Sequence, residues 1–335
     1  MSDKLDLDAA FGKALKQIRY AKGISQEDFS AVIDRTFVSM LERGLKTPTI
    51  QTVEKVSSIL GIHPIELLSL TFAIREDQNL ELHKIKYIKN TSNTTNFKYT
   101  EDESQFSPED VERSMEETNR IVTYFSLLFN QVAKINLYEV IDKKLTGSFI
   151  GSIFVERMAN NAKYLAKNPS QTGHPDLIPV KYLNTNEKFN WDQFPYGGVE
   201  VKTSSGDLKN GITNSMKIGE TRINHITNIV WKGHHTQINN LLGLYWDYYN
   251  GLPTLLGAFY SNQLTPDEFT NTIPKIGGGH TTSVCITKKS AREKMMKNWV
   301  VIPDMADYKQ LFAKFGCECD IRQISLDRYS RRRQI

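Results

Sequence analysis

The sequence predicts a multidomain fold: an all-α bundle of short helices, then an α/β core with helical additions. Three observations predict it. Residues 6–70 carry apolar side chains at helical spacing, punctuated by glycines. Residues 71–107 lose that pattern to polar runs such as Asn90-Thr91-Ser92-Asn93-Thr94-Thr95-Asn96 and Glu101-Asp102-Glu103-Ser104. Beyond them, helical stretches alternate with short strand-like pieces. The division read from these shifts is a helical domain over 1–72, a polar linker over 73–107 and a second domain over 108–335.

Composition narrows the class. Hydrophobic residues at 39% and charged residues at 24% describe an ordinary globular protein. A formal net charge of +4 does not announce a nucleic-acid partner, so any basic surface is local. Three cysteines, an odd number, exclude a disulfide framework and point to a reducing, cytoplasmic setting, as does the lack of a leader-like apolar run at the N-terminus. No stretch reaches the ~18 apolar residues of a spanning helix, so no membrane role is expected.

In the helical domain, Leu7, Phe11, Leu15 and Ile18 mark a first helix that Gly23 ends. Ser25, with Asp28 three places on, caps a second helix containing Phe29 and Val32. Arg35 to Glu42 supplies a third, stopped by Gly44. Thr49 to Leu60 forms the next, and Gly61-Ile62-His63-Pro64 leads into a last short helix.

Ser25-Gln26-Glu27, the run Ser39-x-Leu41-Glu42-Arg43-Gly44 and the following Pro48 resemble the Cro-like (XRE) helix-turn-helix of phage repressors. That resemblance implies a third helix lying in the major groove of double-stranded DNA. It places Gln26 on backbone or base, Arg35, Thr36 and Ser39 toward the groove, and Arg43 and Lys46 near phosphate. Glu42 is expected to pair internally with Arg19.

In the linker a short strand is expected near Ile85 to Ile88. Ser107-Pro108-Glu109-Asp110 reads as a helix start: a capping serine, proline at the first position, then acids favoured by the dipole. That helix runs to about Ile135, with Val122, Phe125, Leu128 and Phe129 facing a core. Gly147 to Lys167 reads as another amphipathic helix, carrying Glu156 as either an extra metal-site carboxylate or a surface partner of a lysine.

Residues 173–202 hold two strand-like pieces, Gly-His-Pro-Asp-Leu-Ile-Pro and Gly-Gly-Val-Glu-Val-Lys-Thr. Side chains alternate along a strand, so Glu200 and Lys202 share one face while Val199 and Val201 take the other. If Asp176 ends a neighbouring strand, two carboxylates able to hold a hard cation converge beside an ammonium. The same residues are also common on ordinary strand surfaces. Pro175-Asp176 with Glu200-Val201-Lys202 resembles the PD-(D/E)XK nuclease superfamily, especially type II restriction endonucleases, over roughly residues 145–305. The resemblance implies Mg²⁺ held by Asp176, Glu200 and the Val201 carbonyl, with Lys202 activating water and Glu156 as a further catalytic carboxylate.

Lys209, Lys217 and Arg222, in and after the polar stretch 203–219, are candidate phosphate contacts. Leu241 to Tyr249 and Thr254 to Tyr260, joined by the turn Asn250-Gly251-Leu252-Pro253, read as a hairpin or a pair of core strands. His234-His235 and His280 lack the acid or cysteine spacing of a metal site. Gly277-Gly278-Gly279-His280 lacks the Gly-Lys-Ser/Thr of a phosphate-binding loop, so no nucleotide cofactor is expected. Arg331-Arg332-Arg333 reads as a basic tail.

Taken together, the residues and both resemblances imply a type II restriction endonuclease acting on double-stranded DNA with Mg²⁺, as a homodimer matched to a symmetric target. The competing expectation is a non-enzymatic regulator of the XRE type whose C-terminal domain senses a ligand or assembles partners.

Overall fold

A computed structural model describes residues 4–76, 85–91, 97–100, 105–210, 212, 220–233, 236–272 and 284–319. Lys217, His234, His235, His280, the glycine run 277–279 and the arginines 331–333 lie outside the described residues. The chain divides into two compact units: residues 1–85 with 123–140, and residues 86–122 with 141–335.

The first unit is helical. α1 (Leu7–Ala21) is capped by Asp6, whose carboxylate accepts from the Asp8 and Ala9 amides. Its buried face is Ala10, Phe11, Ala14, Leu15 and Ile18. A single 3-10 turn, Glu27–Phe29, precedes α2 (Arg35–Glu42), α3 (Ile50–Leu60) and α4 (Pro64–Glu76). A Cβ on Gly12 would lie 2.5 Å from the Leu41 carbonyl oxygen, so only glycine lets α1 approach the end of α2 this closely.

Two expectations change here. The second helix is one 3-10 turn, because the Asp28 carboxylate takes both the Ser25 amide (2.6 Å) and hydroxyl (2.9 Å), and Asp34 already caps α2. The last helix is not short: it continues through Ile74 to Glu76, past the expected domain end at residue 72.

In the second unit, β1 (Tyr87–Lys89) pairs with a strand more than 200 positions away, at Val301–Pro303, inside the stretch read as a linker. Phe97, Tyr99 and Phe106 from that stretch are buried, and Phe106 meets Tyr260 edge-on. α5 (Pro108–Ala133) buries Val111, Met115 and Val122 in this unit, while its Tyr124 and Leu127 join the core of the first. Phe125, Leu128 and Phe129, expected inside, are each about 40% exposed, because Tyr124 and Leu127 carry the buried stripe over the last turns.

α6 (Leu137–Val140) ends the first unit's share, and α7 (Lys143–Asn161) follows, capped by Asp142. α7 stops at Ala162, whose backbone is extended, so Leu165 belongs to strand β2 (Leu165–Lys167) rather than to a helix reaching Lys167. β2 pairs with β3 (Leu177–Pro179). Then come β4 (Glu200–Ser204), β5 (Asp207–Leu208), α8 (Glu220–Ile223), β6 (Ile226–Asn228), β7 (Lys232–Gly233), β8 (Leu241–Tyr249) and β9 (Leu252–Ser261). The chain closes with β10 (Phe269–Thr272), β11 (Val284–Thr287), α9 (Lys289–Lys297), β12 (Trp299–Pro303) and α10 (Ala306–Lys314).

The main sheet has the order β1-β12-β9-β8-β4, with β4 parallel to β8 and the other pairs antiparallel. β8 and β9 are buried almost throughout, which is why they read as continuous apolar runs. Their turn uses Asn250 and Gly251, both at positive φ, as a two-residue hairpin with right-handed strand twist requires. β4 forms the edge of this sheet, and its start meets β3 through the reciprocal bonds Leu177 N to Val199 O (3.0 Å) and Val199 N to Leu177 O (2.8 Å).

Candidate functional site

The β3–β4 junction brings Asp176, Glu200 and Lys202 together. Asp176 immediately precedes β3, rather than ending a strand, and the antiparallel bridge between Leu177 and Val199 sets it beside the first residues of β4. Glu200 and Lys202 lie on one face of β4, and Lys202 Nζ is 2.7 Å from Glu200 Oε1. The same ammonium is 3.3 Å from Asp176 Oδ2, so one cation is shared by two carboxylates. Two carboxyl groups and one ammonium thus stand together, partly withdrawn from water.

The backbone supports this arrangement. The Glu200 amide donates to Asn240 O, toward β8, and the Val201 amide donates to Asp176 Oδ2 at 2.8 Å, away from β8. Amide and carbonyl of one strand residue point the same way, so the Val201 carbonyl is on the side of β4 where Asp176 stands. A Cβ on Gly198 would lie 2.4 Å from the Leu177 carbonyl oxygen, and its φ is +118°; glycine is what allows the two strands to close here.

Two asparagines position the site, and sequence reasoning missed both. Asn168 is buried; its amide group donates to Pro175 O (3.0 Å) and Trp191 O (2.9 Å), and its backbone N–H donates to Asp176 O (3.0 Å). Asn240 donates to Gly198 O (2.9 Å) and Tyr99 O (3.0 Å). No spacing rule marks an asparagine that bonds main chain from another element.

Electrostatics follow from the crowding. Burial, and then the neighbouring Glu200, push Asp176 above the usual carboxylate range, against the pull of Lys202 and the Val201 amide. Burial alone would lower Lys202; Asp176 and Glu200 outweigh it and hold the ammonium above its ordinary value. Two carboxylates and a carbonyl at one edge make an oxygen donor set of the kind Mg²⁺ takes. The residues present fit the ion.

Glu156 stands elsewhere. It is exposed on α7 and pairs with Lys167 at 3.3 Å. Among the described residues no three of His, Cys, Asp and Glu group as metal ligands, so Glu156 does not join Asp176 and Glu200. Arg222, read as a phosphate contact, is buried: it pairs with Asp247 and donates to Ser205 O at 2.7 Å. Of the aromatic residues of β8, Tyr245, Trp246 and Tyr248 are core and Tyr249 is half-buried.

In the first unit, a cleft of about 440 Å³ is lined by Lys16, Gln26, Arg35, Ser39 and Arg43, among others. The geometry gathers these four candidate residues, Gln26, Arg35, Ser39 and Arg43, onto one face, while Thr36 and Lys46 are exposed beyond the lining. Arg19 grips Glu42 through Nε (2.5 Å) and Nη2 (3.0 Å), both side chains being buried. Gln26 Nε2 donates at 2.7 Å to Glu42 Oε2, the oxygen that also accepts from Arg19 Nη2, which ties the 3-10 turn to α2. Arg35 meets Glu27 at 2.9 Å on the exposed surface.

Helices α1 to α4, with a tight turn leading into α2 and polar and basic side chains on its outer face, define a regulator-like helix-turn-helix. Residues 15–67 match the helix-turn-helix family model. A 64-residue stretch is 39% identical to control protein C.BamHI of Bacillus amyloliquefaciens, covering 18% of this chain and 79% of that protein. A 67-residue stretch is 42% identical to control protein C.MunI of a Mycoplasma species, covering 19% and 90%. The crystal structure of the restriction-modification controller protein C.AhdI from Aeromonas hydrophila is 35% identical over 18% of this chain and 94% of that one, with a TM-score of 0.18. The chain belongs to the helix-turn-helix family through this N-terminal unit, and no single helix among the described residues is long and apolar enough to cross a membrane.

Proposed function

We propose that the chain is a Mg²⁺-dependent, site-specific endonuclease of a restriction-modification system, with an N-terminal helix-turn-helix that contacts double-stranded DNA. One observation carries it: Asp176 and Glu200 converge on a single lysine where β4 begins at the edge of the main sheet. The control-protein names of the relatives favour the restriction-modification setting.

In this reading Asp176, Glu200 and the Val201 carbonyl hold Mg²⁺, which when bound neutralises phosphate charge and makes water easier to deprotonate. Lys202 is already oriented by two carboxylates, leaving an N–H to hold the attacking water or a non-bridging phosphate oxygen. The water oxygen forms the new bond to phosphorus, its proton passes to solvent or base, and the opposite ester oxygen leaves with the bonding pair. Asn168 and Asn240 hold the strands on which these groups stand. A homodimer would match two such sites to two antiparallel strands.

A second reading has its own support, since the relatives named above are regulators. In it the α/β unit senses a ligand or assembles partners. Incubating the full chain with plasmid or phage DNA and Mg²⁺ separates the two. Discrete fragments are the expected result; intact DNA with only a mobility shift would leave the regulator.

A further inference from the structure

Between Asp176 and Glu200 the chain makes an excursion over residues 180–198 that carries an unusual number of aromatic rings. Tyr182 meets Phe194 edge-on at 5.1 Å and stacks on Tyr196 at 5.6 Å; Trp191 stacks on Phe194 at 5.4 Å and meets Phe189 at 5.2 Å. Of these rings only Phe194 is buried, and Tyr196 is 52% exposed. A ring cluster built for the interior would be covered; this one keeps its outer faces in water.

The surroundings indicate what covers it. Lys181 Nζ lies 5.1 Å from the Tyr182 ring, and on the adjoining strand entrance Lys163 Nζ lies 4.9 Å from the exposed Tyr164 ring. Lys163, Lys181 and Lys188 stand near these rings together with the exposed acids Glu187 and Asp192, so the open ring faces, rather than net charge, are what suit a strand whose repeating units are themselves flat. The cluster is also tied to the carboxylate site. Phe194 N donates to His174 O at 3.0 Å, and the buried Asn168 amide bridges Trp191 O and Pro175 O. The segment carrying the rings is thus hydrogen-bonded to the two residues before Asp176.

We propose that the Tyr182–Tyr196 cluster is a stacking platform for unpaired DNA bases beside the cleavage site. Only bases out of the duplex stack present a face to such rings, so the platform takes a strand locally opened or flipped at the scissile step. The proposal deepens, and for its placement rests on, the nuclease reading of Asp176, Glu200 and Lys202.

The test uses the full chain in EDTA with a fluorescein-labelled single-stranded oligonucleotide of about 16 nucleotides. Tyr196→Ala and Tyr182→Ala are expected to weaken its binding by about five- to a hundredfold. Tyr196→Phe, which keeps the ring, should bind as wild type. A 5-iodouracil oligonucleotide should photocrosslink to Tyr182, Trp191 or Tyr196. Wild-type affinity in both alanine variants, or crosslinks confined to residues 19–46, overturns the platform, even if wild type cuts plasmid in Mg²⁺. Loss of single-strand binding in the alanine variants upholds it, even if no DNA is cut and the nuclease reading falls.

Discussion

Lys202 Nζ sits 3.3 Å from Asp176 Oδ2, across a gap of 26 positions in the chain. The contact exists because the Leu177–Val199 bridge sets two strand starts side by side, and because Glu200, on the same face as Lys202, draws the ammonium inward. A lysine serving only as a surface charge would not be shared by two partly buried acids.

Lys202→Met keeps the side chain's apolar stem and removes its charge. We expect cleavage of phage DNA in Mg²⁺ to fall by about 10²- to 10⁴-fold, the usual worth of a positioned proton-transfer or charge-stabilising group. Mobility shift of duplex DNA should be unchanged, because the helix-turn-helix unit is folded around its own core. Retained cutting would remove Lys202 from the chemistry.

Mg²⁺ binding has a readout independent of activity. An ion that binds only the folded state stabilises it by about 2.7 kcal/mol at a hundredfold excess over Kd. For a unit of this size that is a rise of about 5–10 °C in Tm. Wild type should show the rise, and Asp176→Asn or Glu200→Gln should lose most of it, since each deletes one oxygen charge from the set. Glu156→Gln should keep it, because Glu156 pairs with Lys167 instead. Equal shifts in all four proteins would place the ion elsewhere.

How far the chain was legible depends on the range of the forces involved. Glu200 and Lys202 could be set on one face because strand alternation is local, and the Arg19–Glu42 pair was legible only through the resemblance to the Cro-like helix-turn-helix. Arg222 could not: its partner Asp247 reaches it only after β8 is laid in the sheet, and nothing local distinguishes it from an arginine that contacts phosphate. Phe125, Leu128 and Phe129 have helical spacing, yet the phase of the buried stripe is decided by which neighbours arrive, and Tyr124 and Leu127 took it. No period in the sequence marks the rings at 182–196, which meet through loop geometry alone.

The Arg19–Glu42 pair should be the electrostatic keystone of the first unit. Glu42→Ala leaves a buried guanidinium without its bidentate partner and frees Gln26. Removing one member of a buried pair costs roughly 3–5 kcal/mol. Urea denaturation followed by circular dichroism should show that loss in the N-terminal transition, together with weaker duplex binding. A change below about 0.5 kcal/mol would mean the pair is solvated in solution.

Arg43 and Arg35 make different demands on DNA. Arg43→Ala should weaken binding to all duplexes alike and reduce the slope of log K against log salt by about 0.9, one phosphate contact. Arg35→Ala should instead narrow the gap between a specific and a scrambled site by about 1–3 kcal/mol. Fluorescence anisotropy across a salt series reads both. A uniform loss from Arg35→Ala, with no change in site preference, would reassign it to the backbone.

Lys143 offers a test of the buried charge layer around Arg222. It opens α7, where the helix dipole already disfavours a cation. Burial, then the Arg222 charge, lower it from 10.5 to about 8, against the pull of Asp247 and Asp207. Below about pH 8 the folded chain carries this charge at a cost the unfolded chain does not bear. Between about 8 and 10.5 the unfolded chain holds a proton the folded one has released, so this group makes stability rise with pH. Lys143→Met should therefore be more stable than wild type at pH 7 by about 1–2 kcal/mol, a figure discounted for the lysine's partial exposure. The advantage should shrink steadily and vanish above pH 10.5. Denaturation of both proteins across that range checks it, and a difference that stays constant with pH would show that Lys143 titrates like any surface lysine.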